Sequence, residues 1–278
     1  MSALDRVISR PLLRQTWRAN RMRVAILAVA LAIWGLLMPI IYASFGREVE
    51  ALLTSGMIPD SVLQIFMRFM GSDPFSLDGA VALGAVHPIA IAMQAVYPVG
   101  FAAAAIAGER QRGTLEVLLS RPVSRRAIFL TLLLSMIAIA TITTVAQLAA
   151  TVVAAIAWDV AGQLDAGAIV FLGVNTVAFL SAMAAISLAA SASFDRLGPA
   201  LGVSFGVLIL AYVPDVLGTL WPSAAWLQPY SPFHYLRPLE ILGGRGEVSE
   251  VAVLVVLGLV AAAFGLWRFP RRDIAAPA

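Results

Sequence analysis

Residues 127–158 read AIFLTLLLSMIAIATITTVAQLAATVVAAIAW and contain no charged side chain. A helix of about 20 apolar residues crosses the hydrocarbon core of a bilayer, so this longer stretch predicts a membrane span. The whole chain has the same character, because 60% of its 278 residues are hydrophobic and only 13% are charged. A soluble domain carries about 25% charged residues to cover its surface. The sequence therefore excludes a soluble enzyme and predicts an all-α, polytopic membrane protein.

Uncharged stretches of this kind recur, and they predict six transmembrane helices in a single domain over residues 1–278. The predicted spans are residues 24–45, 84–107, 127–157, 167–192, 198–214 and 250–268. Residues 215–249 are interrupted by prolines, so we predict a re-entrant or interfacial outer segment there instead of a seventh span. In the long loop after the first span, apolar residues at helical spacing between Pro59 and Gly71 predict a short helix.

The arginines are sorted between the two sides of the membrane. Residues 1–23, 108–126, 193–197 and 268–278 together hold fifteen Arg and five acidic residues, a net charge of +10. The remaining loops hold four Arg and eleven acidic residues, a net charge of −7. Because arginine-rich loops stay in the cytoplasm, we expect both termini to be cytoplasmic and the protein to lie in the cell membrane, among lipids.

The first 23 residues have the pattern of an amphipathic helix lying on the cytoplasmic membrane surface. Ser9 can cap this helix. Arg14, Arg18 and Arg21 share one face, while Leu12, Leu13 and Trp17 favour another. An unstructured basic anchor is the alternative, because the pattern covers only three turns.

Several kinds of chemistry are excluded or weakly supported. The chain has no cysteine, and all nineteen of its basic residues are arginine. Without lysine it has no phosphate-loop lysine, so it cannot hydrolyse ATP by that route. Its two histidines have no carboxylate at helical spacing, and we expect no metal site. The sequence pI near 9.8 does not indicate nucleic-acid binding, because the charge is sorted by membrane side.

One pattern in the fifth span has two interpretations. Residues 202–206 read GVSFG, which matches the G-x-S-x-G nucleophile elbow around Ser204. Gly198, Gly202 and Gly206 also recur every four residues, which lets another transmembrane helix approach closely. We favour helix packing, since an elbow needs a strand-to-helix turn that a membrane span does not offer.

Polar side chains inside the predicted spans also have two interpretations. Gln94, Gln147 and Asn175 are uncharged and lie at membrane depth. They can form hydrogen bonds between helices, or they can line a mildly polar path for an amphiphilic substrate.

The loop between the second and third spans, residues 108–126, carries the most specific pattern. Gly113 predicts a break, and a very short helix follows with Leu115, Leu118 and Leu119 as its apolar members. Ser124 can cap the next span. A short amphipathic helix bracketed by charge suits docking in a groove on another protein. The alternative is a basic loop that only sets orientation.

The sequence GERQRGTLEVLLSRPVSR at residues 108–125 closely resembles the signature of ABC-2 type permeases, the membrane subunits of ATP-driven exporters. The basic N-terminal helix, the six spans and the sequence SPFHY at residues 231–235 fit the same family. The resemblance implies two permease copies, identical or different, bound to two separate ATP-binding cassette subunits that hold ATP and magnesium. It does not identify the exported substrate.

The resemblance also implies roles for particular residues. The helix around Thr114–Leu119 would be a coupling helix on the ATPase subunit, and Glu109 would lie at the inner mouth of the second span. The implied coupling residues are Glu109, Arg110, Arg112, Gly113, Thr114, Leu115, Glu116, Leu118 and Leu119. Two rival functions stay open: an intramembrane hydrolase built on Ser204 and His234, and a non-catalytic membrane assembly factor.

Overall fold

The computed structural model describes residues 7–55, 59, 76–120 and 123–272. Within these ranges the regular elements are helical, and six helices are long and apolar enough to cross a membrane. The predicted all-α class with six spans is confirmed. The short helix predicted between Pro59 and Gly71 lies outside the described residues.

The main helices are labelled in chain order. They are α1 (Arg10–Thr54), α2 (Leu77–Val86), α3 (Pro88–Ala95), α4 (Ala102–Gln111), α5 (Leu115–Leu119), α6 (Arg125–Ala157), α7 (Ala166–Ser193), α8 (Leu197–Leu220) and α9 (Val248–Arg268). A π turn, Val96–Phe101, joins α3 to α4. Two 3₁₀ helices, Pro222–Tyr230 and Pro232–Tyr235, lie between α8 and α9.

Helix α1 joins two segments that the sequence analysis treats as separate. It begins after Ser9, whose hydroxyl oxygen accepts from the Leu12 amide, and it continues without a break to Thr54. Residues 12–34 contain neither glycine nor proline, so nothing interrupts the backbone hydrogen bonds at the expected boundary near residue 23. The amphipathic segment and the first span therefore form one helix.

The faces of this N-terminal segment follow the predicted pattern only in part. Arg14, Arg18 and Arg21 are exposed, as expected, but Trp17 is 45% exposed as well. The buried positions recur every four residues and are Leu12, Thr16, Asn20 and Val24. The segment thus turns a mixed polar and apolar stripe toward the rest of the chain.

The second span is broken in two places, and it starts later than residue 84. His87 is extended, as expected of a residue before proline, and this separates α2 from α3. Pro98 lacks the amide that would bond to the Gln94 carbonyl, and the backbone widens into the π turn around it. The apolar span therefore covers Pro88–Gln111.

Helix α8 is longer than the predicted fifth span. It continues through Pro214 to Leu220, because the proline costs one backbone hydrogen bond without ending the helix here. The predicted outer segment therefore begins at Trp221 instead of residue 215. This segment contains two 3₁₀ helices, each beginning at a proline. Between them, the Ser231 hydroxyl accepts from the Phe233 amide and donates to the Ala211 carbonyl of α8.

The bundle is organised around α7, which contacts α4, α6, α8 and α9. In the most apolar stretch of α7, 61% of residues are buried, against 17% for α8. Helix α1 packs along α6. At this contact a Cβ on Gly35 would lie 2.2 Å from the Gln147 carbonyl oxygen. Likewise, a Cβ on Gly265 of α9 would lie 2.3 Å from Phe129 of α6. These two glycines set the helix separations.

Candidate functional site

The predicted break before the short helix α5 is a well-formed helix end. Gly113 has φ +74°, a left-handed conformation that glycine adopts without strain. The Thr114 amide donates to the Glu109 carbonyl and the Gly113 amide donates to the Arg110 carbonyl. These are the two hydrogen bonds of a Schellman motif. The direction in which the chain leaves α4 is therefore fixed by the backbone.

The apolar side of α5 faces into this chain. Leu115 is 1% exposed and shares a hydrophobic cluster with Ile106 of α4 and Ile128 of α6. Leu118 and Leu119 pack against the same cluster. Leu115 therefore serves to attach the short helix to α4 and α6. Leu118 and Leu119 are only half-buried, and their role in docking to another protein stays a prediction.

The opposite side of α5 is open. Glu116 is exposed, and Val117 is 63% exposed although it is apolar. Arg112 and Gly113, which lie in the turn just before α5, are exposed as well. Glu116 and Val117 are therefore the residues of α5 that are most accessible to another molecule.

The side chain of Glu109 stabilises the turn between α4 and α5. Its carboxylate accepts a hydrogen bond from Arg112 and another from the Thr114 hydroxyl. Glu109, Thr114 and Leu118 also line a cavity of about 380 Å³, whose other walls come from α1, α4 and α6. The N-terminal segment of α1 and the α4–α5 loop therefore enclose a common space.

An ion-pair cluster links three segments at this end of the bundle. We call this end the basic end, and it comprises the start of α1, the end of α4 with α5, the α7–α8 loop and residues 269–272. Arg110 lies 2.5 Å from Asp195 of the α7–α8 loop, and Arg272 binds the same carboxylate. Arg272 also donates to the carbonyls of Ala192 and Phe194. Burial, with a further contribution from Arg110, lowers the pKa of Arg272 from its ordinary value.

Two further hydrogen bonds reinforce this cluster. Gln111 accepts from the Leu197 amide at the start of α8. Arg125, at the start of α6, donates to the carbonyl of Arg272 at 2.6 Å. Sequence reasoning included Arg110 but missed Asp195 and Arg272, because no spacing rule relates charges in separate loops.

The intramembrane polar residues hold helices together. The Gln94 amide donates to the Gln147 side-chain oxygen at 2.7 Å, and Asn175 donates to the Tyr235 carbonyl at 2.9 Å. All three are buried, and the cavity beside Gln94 has a volume of only about 10 Å³. That space is no larger than one water molecule requires. The role of these three residues in a substrate path stays a prediction.

The glycine stripe faces away from the chain. A Cβ added to Gly198, Gly202 or Gly206 would meet no atom within 4 Å. Ser204 lies on another side of α8, is buried, and donates to the Ala200 carbonyl of its own helix. It is therefore a serine inside a continuous helix, and the strand-to-helix turn of a nucleophile elbow is missing around it.

Among the described residues, no group of three or more histidine, aspartate or glutamate side chains could hold a metal ion. In comparisons with known proteins, a family model described as "ABC-2 family transporter protein" matches residues 20–274. The matched range includes every predicted span and the whole α4–α5 loop. A search of curated proteins finds no significant match.

Proposed function

The chain belongs to the ABC-2 family of transporter proteins, and from this premise we propose that it is the permease subunit of an ATP-driven exporter in the cell membrane. In this proposal the chain carries no ATPase site, and a separate ATP-binding cassette subunit binds ATP and magnesium. The chain supplies the translocation path and the contact through which ATP-driven motion reaches it.

The observation that carries the proposal is the two-sided attachment of α5. Its inner side is anchored by Leu115 between α4 and α6, while its outer side presents Glu116 and Val117. An apolar side chain that stays exposed beside charged residues suits a protein contact. A force applied to the outer side is transmitted to two transmembrane helices, because packed interiors move as units and deform little.

The Arg110–Asp195–Arg272 cluster extends this transmission to more of the bundle. It joins the α4–α5 loop to the α7–α8 loop and to the segment after α9. The proposed coupling residues therefore have two kinds of role. Glu109, Leu115, Leu118 and Leu119 position α5. Arg112 and Glu116 meet the ATPase subunit, and Val117 is added to this contact.

We assign the glycine stripe of α8 to contact with a second permease copy. A Cβ on Gly198, Gly202 or Gly206 would meet no atom of the described residues within 4 Å, and small residues are favoured where membrane helices meet closely. The hydrogen bonds of Gln94, Gln147 and Asn175 lie inside one chain and hold its helices together. This supports a substrate path that runs between the two permease copies.

Partner retention by surface variants of α5 tests the proposal. We expect Val117→Asp to lose the ATPase subunit when the tagged permease is purified from its native membrane, because a charge would have to be buried in the contact. Val7→Asp is the matched control, since Val7 is 49% exposed at the same basic end but lies outside α5. It should keep the partner and substrate-stimulated ATP hydrolysis. Wild-type retention and hydrolysis in Val117→Asp would refute the assigned contact.

A further inference from the structure

A second large cavity lies at the end of the bundle opposite the basic end. Its volume is about 500 Å³, which is within the usual range for small-molecule sites. The walls come from the α2–α3 junction, the last turns of α8 and residues 228–240. None of the coupling residues or intramembrane polar residues discussed above lines it.

The carboxylate of Asp215 in this cavity forms no hydrogen bond or salt bridge with another residue of the described ranges. The hydrogen bonds at Asp215 there involve its backbone carbonyl, which accepts from Thr219 and Gln228. Its side chain interacts electrostatically with His234 and with Tyr212, which both line the cavity. A carboxylate in an apolar helix is costly unless a counter-charge is present.

The other charged groups at the cavity are paired with each other. Arg237 lies 3.1 Å from Glu250 and 3.8 Å from Glu240. Glu240 also pairs with Arg245 at 2.5 Å. Of the described residues that line the cavity, two carry carboxylates (Asp215 and Glu240) and one carries a guanidinium (Arg237). This excess of carboxylates favours a cation over an anion.

Aromatic and aliphatic groups complete the walls. Tyr212 and Phe233 line the cavity with their ring centroids 5.1 Å apart, and Ile91 and Val216 line it from α3 and α8. Aromatic faces attract positively charged groups, and aliphatic walls bury hydrocarbon.

The shape of the cavity is set before any ligand arrives. Ser231 donates to the Ala211 carbonyl at 2.5 Å, which fixes the 3₁₀ segment on α8. Gln228 donates to Asp215 and to Thr219 on the same helix. A preformed site loses less free energy on ordering when it binds a ligand.

We propose that this cavity binds an organic cation, whose positive charge pairs with Asp215 and whose hydrocarbon groups lie against Tyr212 and Phe233. The proposal does not depend on the ATPase subunit, because the whole site lies within one chain. It can therefore be tested on the purified protein without ATP.

The first test compares two ions of nearly equal shape and opposite charge. Purified protein in detergent should bind radiolabelled tetraphenylphosphonium at least about tenfold more tightly than tetraphenylborate, a difference of about 1.4 kcal/mol. Asp215→Asn should remove this preference. Asp159→Asn is the matched control, because Asp159 is an exposed carboxylate outside the cavity whose left-handed φ asparagine tolerates well.

The second test needs no bound ligand and uses the absence of native cysteine. Val216→Cys places one thiol in the cavity wall, where the trimethylammonium and sulfonate forms of ethyl methanethiosulfonate can be compared. We expect the cationic-to-anionic rate ratio, normalised to free cysteine, to fall about tenfold when Asp215→Asn is added. Adding Asp159→Asn instead should leave the ratio unchanged.

The two tests separate the possible outcomes. Loss of cation preference in Asp215→Asn, with normal gel filtration and melting, supports the site. Equal binding of the two tetraphenyl ions by the wild type, or an unchanged rate ratio in Asp215→Asn, overturns it. Failure of Val216→Cys to react with either reagent also overturns it, because the cavity would then be closed to soluble cations.

Discussion

Gly35 and Gly265 differ from the α8 stripe of Gly198, Gly202 and Gly206 in what lies beside them. A Cβ on either of the first two would come within 2.3 Å of a neighbouring helix, whereas a Cβ on any of the stripe would meet nothing within 4 Å. All five lie in long apolar helices. The first two determine how one chain folds, and the others leave a surface that another chain can approach.

The same contrast between inner and outer positions occurs within α5. Leu115 is buried in the hydrophobic cluster of the basic end, and Val117, two residues later, is exposed. The sequence shows that both residues are apolar. Only the neighbours of each residue show whether it stabilises the fold or is free to contact another molecule. Four substitutions test this distinction.

The largest effect is expected at Gly35. Gly35→Ala would place its methyl group 2.2 Å from the Gln147 carbonyl oxygen, and a backbone atom cannot move aside cheaply. We expect a loss of more than about 3 kcal/mol of unfolding free energy, measured in mixed micelles. Gly46→Ala in the same helix meets only an ordinary contact at 3.4 Å and should behave like the wild type. Equal stability of both variants would contradict the close α1–α6 contact.

The next effect is expected inside α5. Leu115→Ala should lower the unfolding free energy by about 2 kcal/mol, because it leaves a cavity between α4 and α6. Val117→Ala should change it by less than about 0.5 kcal/mol, since Val117 is exposed. The reverse order in a chemical unfolding experiment would show that the leucine side of α5 faces outward.

The glycine stripe should affect assembly and leave the fold intact. We expect Gly202→Leu to weaken association of two copies about tenfold, or 1.4 kcal/mol, with an unchanged melting temperature of the dissociated chain. Gly162→Leu, which also adds atoms to open space but lies outside α8, is the control. Cross-linking in nanodiscs measures both. Undiminished dimerisation of Gly202→Leu would remove the stripe from the interface.

The smallest effect is expected at the ion-pair cluster. The side chain of Asp195 is 59% exposed, so water and salt screen its pairs with Arg110 and Arg272. Asp195→Asn should cost about 0.5–1 kcal/mol at low ionic strength, and the cost should shrink at high salt. A salt-independent loss would indicate that the cluster is buried in the assembled protein.

Local features of the sequence were sufficient to predict the six spans, the break at Gly113 and the Ser9 cap. Each depends on a few consecutive residues, either on apolar length or on a residue type suited to one backbone shape. Ser124 also caps α6 as predicted, accepting from the Ala127 amide at 3.1 Å.

Features that depend on distant residues were missed. The extension of α8 past Pro214 depends on packing that outweighs a local signal. The inward direction of Leu115 and the sharing of Asp195 by two arginines depend on which loops meet in space. Pairing preferences between loops leave no spacing pattern in a single sequence.

The length of α1 has a mechanical consequence. Its stretch from Arg10 to Met38, before Pro39, is about 43 Å long at 1.5 Å per residue, and the hydrocarbon core of a bilayer is only about 30 Å thick. This continuous helix is longer than the hydrocarbon core of the membrane. Its N-terminal end, which carries the arginines, therefore cannot move independently of the part that spans the membrane. A tilt of about 10° around Met38 would displace that end by about 7 Å. The N-terminal end forms a wall of the cavity that Glu109 lines, and rocking of this helix would therefore change the width of that space.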